Sequence, residues 1–356
     1  MRPIVSSINS VTSGAEDFLL KLITPIVEKC DLSTKSTKEF KSHFENFKSK
    51  FNPETMEVVS FDAKSLFTNV CSKTVVDHII SEIYKNPNNF FKETIINEKT
   101  KRERKLKIPK KILKNFFMEI LTKYSSFSTL SGYFRQINGI AMGSKLSPGL
   151  ADIYCSLMEQ QVIKPHQING NIIFYFRYVD DIIAVCLKNT KEQIRSQMNK
   201  FATDLKFTEV VMTNKEITFL DTCLYIDAKN NLEIKQYRKP IASEVLNNFK
   251  KSVMPKSQKI GLLMGEIYRA NNTTSTTKDL NNALDNLTKI FLKNEYPESL
   301  IRSKIEQIKI KNFKPSVSKL EKEREAKENL HKSFNLCLSY THIRCEKVAA
   351  KMITLI

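Results

Sequence analysis

The chain has 356 residues, 41% hydrophobic and 27% charged, which allows a sizeable core and argues against a membrane-embedded protein. Its 57 Lys and Arg against 38 Asp and Glu give a net charge of +19, which suits a polyanionic partner such as nucleic acid; charge alone leaves a basic soluble protein without such a partner equally open. There is no run of about 18 apolar residues to span a bilayer, and the opening MRPIVSSINS lacks the apolar core of a secretory signal.

Residues 16–28, EDFLLKLITPIVE, predict a helix interrupted near Pro25. EVVSFD (57–62) is β-branched and aromatic and predicts a strand ending at an acid. Residues 73–85 and 109–124 have helical spacing, and GYFRQING (132–139) reads as extended chain between glycines. SPGLADIYCSLMEQQVI (147–163) predicts a helix with Ser147 as its cap and Pro148 in its first turn. NIIFYFRYVDDIIAVCL (171–187) predicts strand, tight turn, strand. A helix at 190–204 and short strands at 207–212, 217–226 and 232–238 follow. From about residue 250 the pattern is helical and basic, opened by Lys250, Lys251, Lys256 and Lys259. SKLEKEREAKENLHKSF (318–334) reads as a solvated charged helix. The fold class is α+β, a mixed body followed by a helical region. Cysteines at 30, 71, 155, 186, 223, 337 and 345 form no C-x-x-C pair and read as reduced intracellular thiols.

The adjacent acids Asp180 and Asp181 lie inside an apolar run, where a bare carboxylate costs several kcal/mol. They can sit in an exposed hairpin turn, pair with a cation such as Arg177, or bind a metal ion. A second acid-bearing strand, VVSFDAKSLFTNV (58–70), supplies Asp62. If the two strands lie side by side, Asp62 and Asp180 meet, and oxygen donors of this kind select Mg²⁺ or Mn²⁺. Strand alternation then makes Asp180 the main ligand beside Asp62, with Asp181 weaker. Two such ions about 3.5–4 Å apart are the apparatus of in-line phosphoryl transfer. Between the acids lies NGIAMGSKLSPGLADIY (138–154), where Gly139 and Gly143 permit close backbone approach; alone it is a loop and a capped helix.

In order, FDAKSLFTNV, GIAMGSKLSP and YVDD resemble motifs A, B and C of a reverse transcriptase palm. The Penelope-like retroelement enzymes are the most similar variety, on SLFTNV, on Met142 in AMGSKLSP, on FLDTCLYI (219–226), YRKP (237–240) and RPIVSSINS (2–10). The resemblance covers roughly residues 2–270. It implies a right-hand polymerase: partial fingers over 1–55, a palm over 56–245 with a finger insertion at about 86–135, and a helical basic thumb over 246–356. The implied reaction is RNA-directed DNA synthesis, with two Mg²⁺ ions (or Mn²⁺), deoxynucleoside triphosphates, and an RNA or DNA template with its primer.

The resemblance also implies roles. Asp62 and Asp180 hold the ions, with Asp181 assisting and the Ala63 carbonyl completing a site. Phe67, five residues after Asp62, occupies the steric-gate position that excludes a ribose 2′-hydroxyl; the plain alternative is a core phenylalanine. Arg2 contacts the incoming triphosphate, and Gly143 and Ser144 line the nucleotide and template path. Lys215 is a candidate proton donor to pyrophosphate, or else an exposed loop lysine. The thumb lysines and arginines grip the duplex backbone.

The pattern has departures. The fingers segment that normally precedes RPIVS and the GIY-YIG nuclease that ends many members are not recognisable, and Cys71 stands where a Pro commonly follows SLFTNV. A remnant that binds nucleic acid without polymerising is the second reading, and a telomerase-like role the third. His331, Cys337, His342 and Cys345 match no common zinc-finger spacing closely, so ordinary helix residues are the simpler reading than a zinc site. The expected location is intracellular, in the nucleus, without a membrane; oligomeric state is open.

Overall fold

The computed structural model describes residues 4, 6–33, 36–85, 94–96, 103–105, 108–129, 131–201, 205–239, 244 and 246–310. Arg2 and the His331, Cys337, His342 and Cys345 set lie outside these residues, as does the charged stretch 318–334.

Helix α1 (Ser13–Val27) buries Leu19, Leu22, Ile23 and Ile26 on one stripe. Pro25 does not interrupt it; a proline in the last turn forfeits one backbone bond, and the helix ends two residues later. Helix α2 (Thr37–Phe47) was not anticipated, although Phe40, Phe44 and Phe47 recur at helical spacing and the Ser36 side chain accepts from the Glu39 N–H as a cap. Strand β1 (Met56–Lys64) continues past Asp62, so the acid lies within the strand rather than at its end. A single turn, α3 (Leu66–Asn69), leads to α4 (Ser72–Lys85). A short hairpin of β2 (Thr94–Ile96) and β3 (Glu103–Lys105) precedes α5 (Lys110–Thr122).

GYFRQING, expected as extended chain, is one arm of a hairpin, β4 (Ser126–Thr129) with β5 (Gly132–Arg135), joined by the stacked rings of Phe127 and Phe134. Helix α6 (Ser147–Met158) passes through a π-helical turn at Glu159–Ile163 into α7 (Lys164–Ile168). Ser147 is its first residue rather than its cap, and its hydroxyl donates to the Ala141 carbonyl. Then come β6 (Ile172–Tyr178), β7 (Asp181–Leu187), α8 (Lys191–Phe201) and β8 (Lys206–Val211). The expected strand 217–226 is split at Leu220, whose φ is 54°, into β9 (Glu216–Phe219) and β10 (Thr222–Ile226), and β11 (Leu232–Gln236) completes that sheet. Helices α9 (Lys256–Asn272), α10 (Thr277–Lys293) and α11 (Glu298–Ile310) follow.

The main sheet is antiparallel in the order β6-β7-β1-β8, and the second runs β11-β10-β9. Central β7 is buried from Ile182 to Cys186, as a strand covered on both faces must be. One face, with Val59, Phe61, Ala63, Ile182 and Ala184, packs on α1, α4, α5 and α6. The other, with Val58, Phe174, Ile183 and Val185, packs on α2 and the second sheet around Phe40, whose ring meets Phe174, Phe176 and Phe219. Helices α9 to α11 enclose a separate core of Leu263, Ile267, Leu287, Phe291 and Ile301. Lys259, expected to belong to an exposed basic run, is buried, and its ammonium donates to the carbonyls of Phe249 and Ser252 at 2.7 Å each. Among the described residues, no helix is long and apolar enough to cross a membrane, and Cys30, Cys71, Cys155, Cys186 and Cys223 are free thiols.

Candidate active site

The strand register places the acids. Asp62 of β1 is the cross-strand partner of Asp181 of β7, Asp181 of Tyr178 on β6, and Asp62 of Thr208 on β8. Directly opposed residues of antiparallel strands project to the same face. One rung, Tyr178–Asp181–Asp62–Thr208, therefore crosses all four strands on the face that also carries Ile183 and Ser60. Two residues further along β1, Lys64 faces Lys206. Like charges so opposed are mutually destabilising unless an anion joins them.

Asp180 stands beyond this rung in the two-residue turn Val179–Asp180, and its carbonyl accepts from the Ala63 N–H at 3.3 Å. Sequence reasoning paired Asp62 with Asp180; the register makes Asp181 the direct partner and ties Asp180 to Ala63 through the backbone. Arg177, a conceivable partner for these acids, faces the opposite side. It is 1% exposed and binds Glu159 at 2.6 Å and Asp152 at 2.8 Å. Removing one member of such a buried pair costs about 3–5 kcal/mol. Val179 holds a φ of 56°, a strained state for a β-branched residue, worth about 1–3 kcal/mol.

The loop after β5 presses on the chain after β1. At Gly139, φ 73°, an added Cβ would lie 2.4 Å from the Phe67 carbonyl oxygen and 2.5 Å from Thr68 backbone atoms, so only glycine fits. The contact is fastened by the Ile140 N–H donating to the Phe67 carbonyl at 2.7 Å and the Ser72 hydroxyl donating to the Gly139 carbonyl at 2.9 Å. Phe67 is thus held on the α3 turn, half-buried against the helical core. Gly143 has φ 107° and its carbonyl accepts from the Ser7 N–H. The Ser144 hydroxyl and the Lys145 N–H both donate to Glu16, at 3.0 and 2.8 Å, as does the Ser7 hydroxyl at 2.7 Å. Buried Glu16 is the hub of this loop, and its acidic position among the apolar residues of α1 was its only sequence signal.

The family model described as "Animal helix-turn-helix domain" matches residues 250–306, the segment containing α9, α10 and most of α11. Among curated proteins nothing matches. A telomerase from Candida albicans, solved with a fragment of telomeric RNA, superimposes with a TM-score of 0.53 at 13% identity, covering 81% of this chain and 49% of that one. The fold is polymerase-like. An apo telomerase from Candida tropicalis gives a TM-score of 0.47 at 17% identity over 80% of this chain and 49% of that one. The Sicinivirus RNA-dependent RNA polymerase gives 0.40 at 12% over 76% and 54%. The chain spans about half the length of the telomerases it matches.

Among the described residues, no Lys or Arg lies at ion-pair distance from Asp62, Asp180 or Asp181, and no three His, Cys, Asp or Glu side chains are gathered as a ready metal cage. Mg²⁺ is held by one or two carboxylates together with waters and substrate phosphates, and this open, oxygen-only set fits that mode. Burial first, and then the charges of Asp180 and Asp62, push the Asp181 carboxyl above the usual carboxylate range, while Lys239 pulls it down. Lys239, in YRKP, is thus a cation within electrostatic reach of Asp181 that the sequence motifs did not single out. Lys215 stands exposed in the turn before β9, at φ 62°.

Proposed function

We propose that the chain is an RNA-directed DNA polymerase of the Penelope-like kind, joining a deoxynucleotide to a primer 3′-hydroxyl. The observation that carries this reading is the acidic rung: Asp62 opposite Asp181, with Asp180 in the adjoining turn and no cation at ion-pair distance among the described residues. Asp62, Asp180 and Asp181, with the Ala63 carbonyl, are the residues that would hold two Mg²⁺ or Mn²⁺ ions. When bound, these ions activate the primer hydroxyl and neutralise charge on the triphosphate and leaving pyrophosphate.

The chain's own residues do the placing. Phe67, held from below by Gly139, bars a ribose 2′-hydroxyl. Gly143 and Ser144 border the nucleotide and template path through their backbone, since the Ser144 hydroxyl is engaged by Glu16. Lys64 and Lys206, with Arg2, offer positive charge to phosphate, and Lys215 or Lys239 is the proton donor to pyrophosphate. The division into partial fingers (1–55), palm (56–245) and thumb (246–356) belongs to this reading, as does a nuclear site of action. Purified full chain with an RNA template, DNA primer, dNTPs and Mg²⁺ extends the primer, and Asp180→Asn abolishes extension; a folded wild type that adds nothing refutes the reading.

A second reading, a nucleic-acid-binding chain that does not polymerise, is favoured by the helix-turn-helix match at 250–306 and the net charge of +19. Its signature is duplex binding that weakens steeply with salt and no Mg²⁺-dependent incorporation.

A further inference from the structure

Val179 immediately precedes the two acids of the turn and holds a φ of 56°, a state that ordinarily falls to glycine or asparagine. A β-branched residue keeps such a conformation only where its surroundings impose it. Here Val179 packs against the helical core in a tight hairpin turn, and one charged side chain reaches its carbonyl. Arg177, two residues earlier on β6, donates from Nη1 to the Val179 carbonyl at 3.2 Å and from the same nitrogen to Asp152 at 2.8 Å. Its Nε and Nη2 donate to the two oxygens of Glu159 at 2.6 and 3.4 Å. The Tyr175 hydroxyl donates to Glu159 at 3.0 Å, and the Ser33 hydroxyl to Asp152 at 3.4 Å. The Arg177 N–H is itself bound to the Leu32 carbonyl, which fixes the strand beneath the guanidinium. Glu159 opens the π-helical turn that follows α6, and π-helical turns inside α-helices concentrate at functional sites.

We propose that the Arg177–Glu159–Asp152 cluster sets the acidic turn, making Arg177 a positioning residue that presents Asp180 and Asp181 to divalent cations. A plain core ion pair needs only Glu159 and Arg177. The bond to the Val179 carbonyl goes beyond that, because it joins the helical layer to the strained residue beside the acids. It requires the planar fork of arginine; a lysine ammonium meets Glu159 or the Val179 carbonyl, not both in this geometry. The purpose assigned to the turn rests on the polymerase reading, while the clamp itself does not.

Three full-length variants test it: Arg177→Lys, Val179→Gly and the double variant. Free Mn²⁺ is followed by electron paramagnetic resonance without nucleotide or nucleic acid, and hydrogen exchange is followed at the Ala63 amide, which is bound to the Asp180 carbonyl. Arg177→Lys is expected to melt cooperatively, to bind Mn²⁺ roughly tenfold more weakly, and to exchange the Ala63 amide faster. Glycine adopts the turn conformation without strain, so Val179→Gly is expected to recover most of the lost Mn²⁺ affinity in the lysine background. A folded Arg177→Lys with wild-type exchange at Ala63 overturns the proposal, as do strictly additive effects of the two substitutions. Should Arg177→Lys not fold, Asp152→Ala, which takes away the acceptor that steers Nη1 but keeps Glu159, takes its place under the same criteria. A wild type that binds no free Mn²⁺ bears on the metal site alone, and the Ala63 amide still decides the clamp.

Discussion

Gly139→Ala gives a sharp test of how the segment bearing Phe67 is held. The new Cβ would sit 2.4 Å from the Phe67 carbonyl oxygen and 2.5 Å from Thr68 backbone atoms, and the obstacle is main chain on both sides. Side-chain rearrangement therefore gives no relief. The left-handed backbone at φ 73° adds about 1–2 kcal/mol for alanine. Forcing the loop and the α3 turn apart adds about 1–3 kcal/mol. The sum, about 2–5 kcal/mol, corresponds to a melting temperature lower by roughly 3–7 °C for a chain of this length. Two bonds weaken with it, Ile140 N–H to Phe67 and the Ser72 hydroxyl to Gly139. The assay is thermal and urea unfolding of the full chain, with Gly265→Ala as control. At Gly265, inside α9, an added Cβ meets nothing within 4 Å, so that substitution should leave stability unchanged or raise it by about 0.5–1 kcal/mol. If Gly139→Ala unfolds with the wild type, the close approach of these two segments is refuted.

Phe67→Ala should raise the use of ribonucleotides relative to deoxynucleotides by roughly 10–100-fold, read as the ratio of kcat/KM values, because the ring no longer excludes the 2′-hydroxyl. Asp181→Asn should stabilise the metal-free protein at pH 7. The Asp181 carboxyl lies above its ordinary range in the folded chain, so the folded state holds that proton more tightly and loses stability as pH rises through the raised value. The gain should vanish below about pH 4, where both states are protonated, and melting curves in EDTA at the two pH values show it. Glu16→Ala leaves the Ser7 and Ser144 hydroxyls and the Lys145 amide without their carboxylate, and should cost about 3–5 kcal/mol in urea unfolding while opening the 143–145 loop to hydrogen exchange.

Much of this architecture was legible because it is written in periodicity. The apolar run on both sides of Asp180 and Asp181 announced two strands and a tight turn, and β6 and β7 are those strands. The register was not legible. Sequence alternation gave each acid a face, but only pairing reveals that Asp181, rather than Asp180, lies opposite Asp62. Helix α2 is marked only by Phe40, Phe44 and Phe47 with Ser36 and Glu39 at its start, a weak apolar signal among the surrounding charges. The partners of Arg177 and Glu16 lie far along the chain, and local sequence carries no mark of such contacts. Lys259 looked like one more surface charge, because its buried acceptors are main-chain carbonyls that composition cannot show.

The most direct test of the central claim is single-nucleotide incorporation on a primed RNA template by the wild type, Asp62→Asn and Asp181→Asn, with duplex affinity measured in parallel. If the opposed carboxylates serve nucleotidyl transfer, the wild type incorporates a deoxynucleotide in Mg²⁺. Both variants then bind duplex as the wild type does and incorporate none. Incorporation by Asp62→Asn at the wild-type rate, or a well-folded wild type that grips duplex and adds nothing, contradicts it.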